Sequence, residues 1–125
     1  MSSPPLIVIV EDDASLQHAL VGLMRSLGYR ARGYASAEQF LASADCALAD
    51  CVTTDIQMGA MNGFELTRQL AFLRPQLPVI IITARAEPDA QRHADDCGAL
   101  CLLRKPFDGN VLADWIARAL APRPP

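Results

Sequence analysis

Five chemically reactive side chains stand at the ends of apolar runs in this sequence. The first run, LIVIV, is followed by three acids, of which the first two belong to this set, and later runs close on an acid, a hydroxyl and an ammonium group. In chain order these residues are Glu11, Asp12, Asp55, Thr83 and Lys105. A carboxylate can bind a cation or act as a nucleophile, while a hydroxyl and an ammonium group can hold the oxygens of an anion. The set indicates a site for a charged group, provided that the fold brings the five together.

The segments between these residues predict the elements that position them. Apolar runs alternate with amphipathic segments along the 125 residues, and we predict strands at 6–10, 29–34, 50–54, 78–83 and 99–103. The predicted helix caps are Asp13, Ser36, Asn62 and Asp108, and Pro88 is expected to open a mostly polar helix at 88–97. Most of the strands are apolar on both faces, which is typical of a parallel sheet covered by helices on both sides. The pattern predicts an α/β protein in which a βα unit occurs five times.

The carboxyl ends of parallel strands meet at one edge of a sheet, where open α/β sheets bind their ligands. We therefore expect Glu11, Asp12 and Asp55 to lie close together at that edge, with Lys105 beside them. Two carboxylates about 4 Å apart repel by roughly 4 kcal/mol at an effective dielectric constant of 20. A hard divalent cation relieves this repulsion, and Mg²⁺ suits a site of one or two carboxylates plus phosphate oxygens. The sequence thus predicts a Mg²⁺ site.

Phosphoryl transfer is the chemistry that such a site supports. Asp55 can attack phosphorus and carry an acyl phosphate, while Thr83 and Lys105 can hold the phosphoryl oxygens. Each residue alone has a plainer interpretation, because an Asp at a strand end is usually a cap or turn residue, a Thr is usually a strand former and a lone Lys is usually a solvated charge. Their joint occurrence at successive strand ends favours a functional site.

Composition limits the other classes of function. The formal net charge is −3 and the sequence has no Lys/Arg cluster, which argues against a nucleic-acid-binding surface. No apolar run reaches the ~20 residues of a membrane span, and MSSPP lacks the features of a signal peptide, so we expect a cytoplasmic protein without direct membrane contact. The four cysteines, Cys46, Cys51, Cys97 and Cys101, form no C-x-x-C pair. We expect reduced thiols, and a metal site that joins His93 to Cys97 and Cys101 is a disfavoured alternative.

Four motifs occur together in a fixed order and spacing: VIVEDD, TTDIQMGAMNG, IIITAR and LLRKPF. They resemble the receiver domain of bacterial two-component response regulators, and the resemblance covers residues 6 to 121. The runs MNGFEL, RPQLPVIIITA and KPFDGNVLADWIARAL resemble receivers that precede a LuxR-type helix-turn-helix output domain. We therefore expect a receiver domain at 1–121, followed at 122–125 by a Pro-rich tail or the start of a linker.

The resemblance implies a role for each residue of the predicted site. Asp55 is the phosphoacceptor, and Thr83 and Lys105 hold the phosphoryl group. The implied metal ligands are Glu11, Asp12, Asp55 and the backbone carbonyl of Gln57, with Asp12 favoured over Glu11 as a direct ligand. The Lys105–Pro106 peptide bond is expected to be cis, and the fold is expected to be the doubly wound, flavodoxin-like sheet with strand order 2-1-3-4-5.

Partners also follow from the resemblance. A sensor histidine kinase would donate the phosphoryl group, and the resulting conformational change would regulate an output domain or another protein. A C-terminal DNA-binding domain outside this chain and a phosphorylation-dependent homodimer are further partners that the family allows. The chain would then be a signalling module rather than an enzyme that acts on external substrates.

Other functions remain open at this point. The family commonly has Tyr or Phe three residues before the lysine, where this chain has Leu102, so a receiver fold that only binds proteins and takes no phosphate is an alternative. An FMN-binding flavodoxin is disfavoured because EDDAS after the first strand would repel a phosphate. A haloacid-dehalogenase-type phosphatase is disfavoured because Gln57 stands where that class has a second acid.

Overall fold

A five-stranded parallel sheet forms the centre of the protein. The computed structural model describes residues 3–84 and 89–121, and the strands lie in the order β2-β1-β3-β4-β5. The strands are β1 (Leu6–Val10), β2 (Arg30–Tyr34), β3 (Cys51–Asp55), β4 (Val79–Thr83) and β5 (Cys101–Arg104). The helices are α1 (Ala14–Ser26), α2 (Ala37–Leu41), α3 (Asp45–Leu48), α4 (Gly63–Leu73), α5 (Ala90–Cys97) and α6 (Gly109–Leu120). The predicted fold class, a doubly wound flavodoxin-like sheet in the order 2-1-3-4-5, is confirmed.

The sheet separates two hydrophobic cores. Leu6, Val8 and Val10 of β1 face the core formed with α2, α4 and α5, whereas Ile7 and Ile9 face the core formed with α1 and α6. Successive side chains of a strand point to opposite faces, so a strand buried on both sides must be apolar throughout. All five residues of β1 are buried. Because the strand is packed on both faces, its carboxyl end and the polar residues that follow it are held in place.

Side chains cap most of the helices as the sequence predicts. Asp13 accepts hydrogen bonds from the N–H groups of Ser15 and Leu16 at the start of α1. Ser36 caps α2, Asp108 caps α6, and Asn62 forms a reciprocal capping box with Glu65 at the start of α4. Such a cap stabilises a helix by about 1 kcal/mol because it satisfies backbone N–H groups that lack a partner within the helix.

The connection between β2 and β3 differs from the prediction of a single helix. The Ser43 hydroxyl donates to the Phe40 carbonyl (2.7 Å) just after α2 ends, and the Tyr34 hydroxyl donates to the carboxylate of Asp45 (2.6 Å) where α3 begins. These polar contacts divide the segment into α2 and α3. Each of the five strands is followed by helix, as predicted, but two short helices rather than one follow β2, and such contacts leave no periodic signal in the sequence.

Several other predictions concern single segments. Helix α5 begins at Ala90, while Arg85, the predicted start at Pro88 and the tail at 122–125 lie outside the described residues. All four cysteines are free thiols. Within residues 3–84 and 89–121, none of the helices has the length and apolar character that crossing a membrane requires.

Candidate functional site

The carboxyl ends of β1, β3 and β5 bring four of the predicted side chains together. A carboxylate oxygen from each of Glu11, Asp12 and Asp55 lies within 4.8 Å of the other two. The Lys105 ammonium lies 3.1 Å from Glu11 Oε1 and 3.5 Å from Asp55 Oδ2. Residues distant in sequence therefore form one charged cluster, as expected for the edge where parallel strands end.

An open cavity of about 620 Å³ lies over this cluster. Gln57 and Asn62 contribute to its walls together with the charged residues. Ala84 lines the cavity, whereas Thr83, the last residue of β4, is 3% exposed and is not among the lining residues. Thr83 is therefore buried at the end of β4, and its exposed neighbour Ala84 lines the cavity.

Glu11 is the buried member of the acid pair, while Asp12 is exposed. The Glu11 N–H donates to the Tyr34 carbonyl (2.9 Å), and the Glu11 carbonyl accepts from Gln17 Nε2 (2.9 Å). Burial is the main reason that the pKa of Glu11 rises from 4.5 to about 7, although the hydrogen bond from Lys105 opposes the rise. Glu11 is therefore held in a position where its negative charge is costly.

Asp55 presents its carboxylate from the end of β3 at an intermediate depth. Its Oδ1 atom accepts a hydrogen bond from the Ile56 N–H (2.6 Å), while Oδ2 faces Lys105. Gly63, the first residue of α4, packs directly against this strand end, because a Cβ atom there would lie 2.2 Å from the Asp55 carbonyl oxygen. The Gly63 N–H also donates to the Ile56 carbonyl (2.8 Å), so the start of α4 fixes the backbone that carries Asp55.

Lys105 reaches the cluster from the far end of the sheet. Its backbone N–H donates to the Thr83 carbonyl (2.7 Å), which keeps the ends of β4 and β5 in register. The Lys105–Pro106 peptide bond is cis, as the resemblance implies. The ammonium group partly offsets the negative charge of Glu11 and Asp55 but leaves two negative charges on the cluster when all four groups are ionised.

The donor set fits a hard divalent cation. Carboxylate oxygens are the ligands that Mg²⁺ prefers, and the ion would offset the repulsion among the three acids. The oxygens of Glu11, Asp12 and Asp55 are already within 4.8 Å of one another, and the exposed Asp12 side chain has room to adjust. Among the described residues, this is the one group of three or more candidate metal ligands. The disfavoured alternative, His93 with Cys97 and Cys101, does not form such a group there.

Two residues that shape the site were not predicted from the sequence. Gln17 occupies a polar position in α1, and Gly63 is the first residue of α4, directly after its cap. Both act through close approach to the backbone, which a single sequence does not reveal. The MNG run that contains Gly63 was the only signal, and it suggested a resemblance rather than a contact.

The family model for the response regulator receiver domain matches residues 7–117. The chain belongs to the response regulator receiver domain family. Response regulator protein TmoT of Ectopseudomonas mendocina is 34% identical over 92% of this chain. DNA-binding transcriptional regulator NtrC of Salmonella typhimurium is 31% identical over 93% of it. A crystal structure of a CheY-like receiver domain protein from Methanospirillum hungatei superimposes with a TM-score of 0.88, at 26% identity and 94% coverage of both chains.

As a receiver domain, the chain is a signalling module of two-component systems, a class distinct from classical enzymes. It spans about half the length of TmoT (52%) and a quarter of NtrC (25%). Because receivers of such different proteins match it at similar identity, the relatives do not single out one kind of output domain. The preference for a LuxR-type output domain is not confirmed and stays a prediction.

Proposed function

We propose that this receiver domain accepts a phosphoryl group on Asp55 from a sensor histidine kinase, in a reaction that requires Mg²⁺. The observation that carries the proposal is the cluster of Glu11, Asp12 and Asp55 within 4.8 Å, beside an open cavity and with Lys105 in contact. Membership of the receiver family supports the same chemistry.

Mg²⁺ would be held by the carboxylates of Glu11, Asp12 and Asp55 and by the backbone carbonyl of Gln57, and it would offset charge on the incoming phosphoryl group. Asp55 Oδ1 is engaged by the Ile56 N–H, which orients the carboxylate and leaves Oδ2 as the attacking oxygen. Oδ2 forms the new O–P bond while the P–N bond to the histidine of the donor breaks, and the imidazole nitrogen keeps the electron pair. Positioning and charge neutralisation supply most of the catalysis in such transfers.

Lys105 and Thr83 would hold the product. The Lys105 ammonium already contacts both Glu11 and Asp55, so a small rotation of its side chain moves it onto a phosphoryl oxygen. Thr83 is the buried last residue of β4, and a movement of this strand end would bring its hydroxyl to the phosphoryl group. That movement at the end of β4 is the first step of the conformational change that we propose.

An apolar groove beside the site offers a place for the donor to dock. It has a volume of about 330 Å³ and runs between α1 and the segment that joins β5 to α6. Leu16, Leu20 and Leu23 line one side, and Pro106 and Phe107 line the other, directly after Lys105. An amphipathic helix that presented its phosphohistidine over Asp55 would bury its apolar face here.

The relatives extend beyond the region that matches this chain, which supports an output domain, while the LuxR type rests on the resemblance of the sequence runs. We propose that residues 1–121 form the receiver, that 122–125 begin a linker, and that a C-terminal DNA-binding domain of the LuxR type follows. Phosphorylation would favour a homodimer, which would place two such domains on adjacent half-sites of DNA.

Intact-mass measurement tests the phosphoacceptor. The wild-type protein, incubated with a small phosphodonor and Mg²⁺, is expected to gain the mass of one phosphoryl group, and excess chelator is expected to prevent the gain. Asp55→Asn should abolish it, whereas Asp96→Asn, at an exposed position of α5, should retain it. If the wild-type chain gained no mass, the alternative of a receiver fold that only binds proteins would replace this proposal.

A further inference from the structure

Gln17 lies at a junction that neither the family resemblance nor the charged cluster explains. Its side-chain Nε2 donates to the Glu11 carbonyl (2.9 Å), so it bonds the peptide unit that joins Glu11 to Asp12. The peptide unit on the other side of Glu11 is bonded as well, through the Glu11 N–H and the Tyr34 carbonyl (2.9 Å). The backbone of Glu11 is thus held from α1 and from β2 at once.

Gly33 makes room for this contact. A Cβ atom on Gly33 would lie 2.4 Å from Gln17 Oε1, 2.5 Å from Cδ and 2.7 Å from Cγ, all far inside van der Waals contact. Gly33 has no positive φ, so its backbone conformation does not require glycine. The reason for glycine in β2 is therefore space, and the side chain that fills the space is Gln17.

We propose that Gln17, seated on Gly33, is a positioning residue for the acid pair. An uncompensated change of ψ at Glu11 would turn its carbonyl and redirect the chain that follows, and so would swing the Asp12 carboxylate away from Asp55. The hydrogen bond from Gln17 prevents that rotation. Gln17 itself is not placed to touch the ion, and it acts through the direction in which the two acids leave the backbone.

This inference rests on the proposed function, because it concerns the affinity of the acid cluster for Mg²⁺. Residues that orient metal ligands through hydrogen bonds typically contribute 10- to 100-fold to metal affinity. Methionine has nearly the length of glutamine and keeps the apolar stem against Gly33, but it has no N–H donor. Gln17→Met is therefore expected to weaken Mg²⁺ binding roughly 10-fold.

Titration calorimetry with Mg²⁺ on the full chain is the test. Gln69→Met, on the exposed face of α4, is the matched control and should bind Mg²⁺ as the wild type does. Gly33→Ala should weaken binding about as much as Gln17→Met, because the new methyl group displaces the Gln17 side chain. In a Gln17→Ala background the same Gly33→Ala change should have no further effect on affinity, since the clash is gone.

The outcomes separate the two proposals. Wild-type protein without measurable Mg²⁺ binding would overturn the proposed function and this inference together. Wild-type binding that Gln17→Met leaves unchanged, even with a lower melting temperature, would overturn only the positioning role and leave Gln17 as a structural link. Additive losses from Gly33→Ala and Gln17→Ala would likewise contradict a single shared contact.

Discussion

Helices α4 and α5 pack against the same face of the sheet but are held there very differently. Helix α4 buries Phe64, Leu66 and Leu70 and starts with a capping box. Helix α5 buries only Ala90, Ala94 and Cys97, and Asp89, the N-cap residue before it, makes no side-chain cap bond and has a φ of 63°. At about 25 cal/mol per Å² of apolar surface, the small side chains of α5 contribute far less than those of α4.

The difference indicates which of the two helices is held firmly beside Asp55 and which is able to move when the site is phosphorylated. The start of α4 packs onto the Asp55 backbone through Gly63, so a shift of α4 would disturb the proposed phosphoacceptor itself. Helix α5 follows β4, whose last residue is Thr83, and elements with few buried apolar contacts open most easily. We expect α5 rather than α4 to change when the site is phosphorylated, and hydrogen exchange would show altered protection at 89–97 with constant protection at 63–73.

The largest effect on this comparison should come from Leu70→Ala. Leu70 is fully buried in α4, and removal of such a side chain costs about 2–5 kcal/mol of unfolding free energy through lost burial and a remaining cavity. Urea denaturation of this variant measures the loss. Phe72→Ala, in the same helix but 88% exposed, is the control and should stay within about 0.5 kcal/mol of the wild type.

The pH dependence of the free energy of unfolding tests how much the buried charge of Glu11 costs. Glu11 has a pKa of about 7 in the folded state and 4.5 as its ordinary value, so the folded protein binds this proton more tightly than the unfolded chain does. Without metal, stability should therefore fall as the pH rises from about 4.5 to about 7, by up to roughly 3 kcal/mol, and Glu11 should cause no further fall above that range. Thermal melts in chelator measure this trend, and Glu11→Gln should flatten it; an unchanged slope in that variant would contradict the assignment to Glu11.

Gly63→Ala tests the contact between α4 and the phosphoacceptor. The added methyl group meets the Asp55 carbonyl, and forced packing of this kind costs about 1–3 kcal/mol. We also expect slower phosphorylation at temperatures where the variant is fully folded, because the strand end must move. Gly22→Ala in α1 is the control, since a Cβ there meets nothing within 4 Å, and it should stabilise the protein by up to about 1 kcal/mol.

Ala94→Gly tests the weaker helix. The change costs about 1 kcal/mol in helix propensity, together with the contact of a buried methyl group. Because α5 is held by few such contacts, the loss should appear mainly as faster hydrogen exchange within 89–97. Equal acceleration across α4 would mean that the two helices open as one unit and would contradict the comparison.

Arg92→Ala should have the smallest effect. The Arg92 guanidinium lies 3.1 Å from the Asp89 carboxylate, but both side chains are largely exposed, and such pairs contribute about 0–1 kcal/mol. A change of unfolding free energy below about 0.5 kcal/mol is expected from denaturation. A larger loss would show that this ion pair, rather than apolar burial, holds the start of α5.

The sequence predicted the strands and most helix ends because each has a local cause. Double burial makes β1 and β4 continuously apolar, and the Asn62–Glu65 capping box and the Gly98 residue that ends α5 are short-range signals. The meeting of Glu11 with Lys105 was also predictable, since it follows from the rule that parallel strands end at one edge. Local chemistry and one topological rule therefore account for the fold and the charged cluster.

What the sequence could not reveal depends on distances between distant backbones. Gly33 and Gly63 are required because, in the folded chain, a Cβ atom at either position would collide with Gln17 or with the Asp55 carbonyl oxygen. The division of the β2–β3 connection depends on Tyr34 reaching Asp45, and the burial of Thr83 beside the exposed Ala84 depends on where β4 ends. None of these features has a period or a composition that a single sequence displays.

The ion pair between Glu11 and Lys105 joins residues that are 94 positions apart. During synthesis, all three acids therefore leave the ribosome long before the lysine that offsets their charge. The cluster gains this positive charge only after β5 has been synthesised and has paired with β4. A chain that stopped after β4 would carry Asp55 and its acidic neighbours without that partner. Assembly of the proposed phosphorylation site is thus tied to completion of the last strand, and we expect a truncated product to be a poor acceptor in the cell.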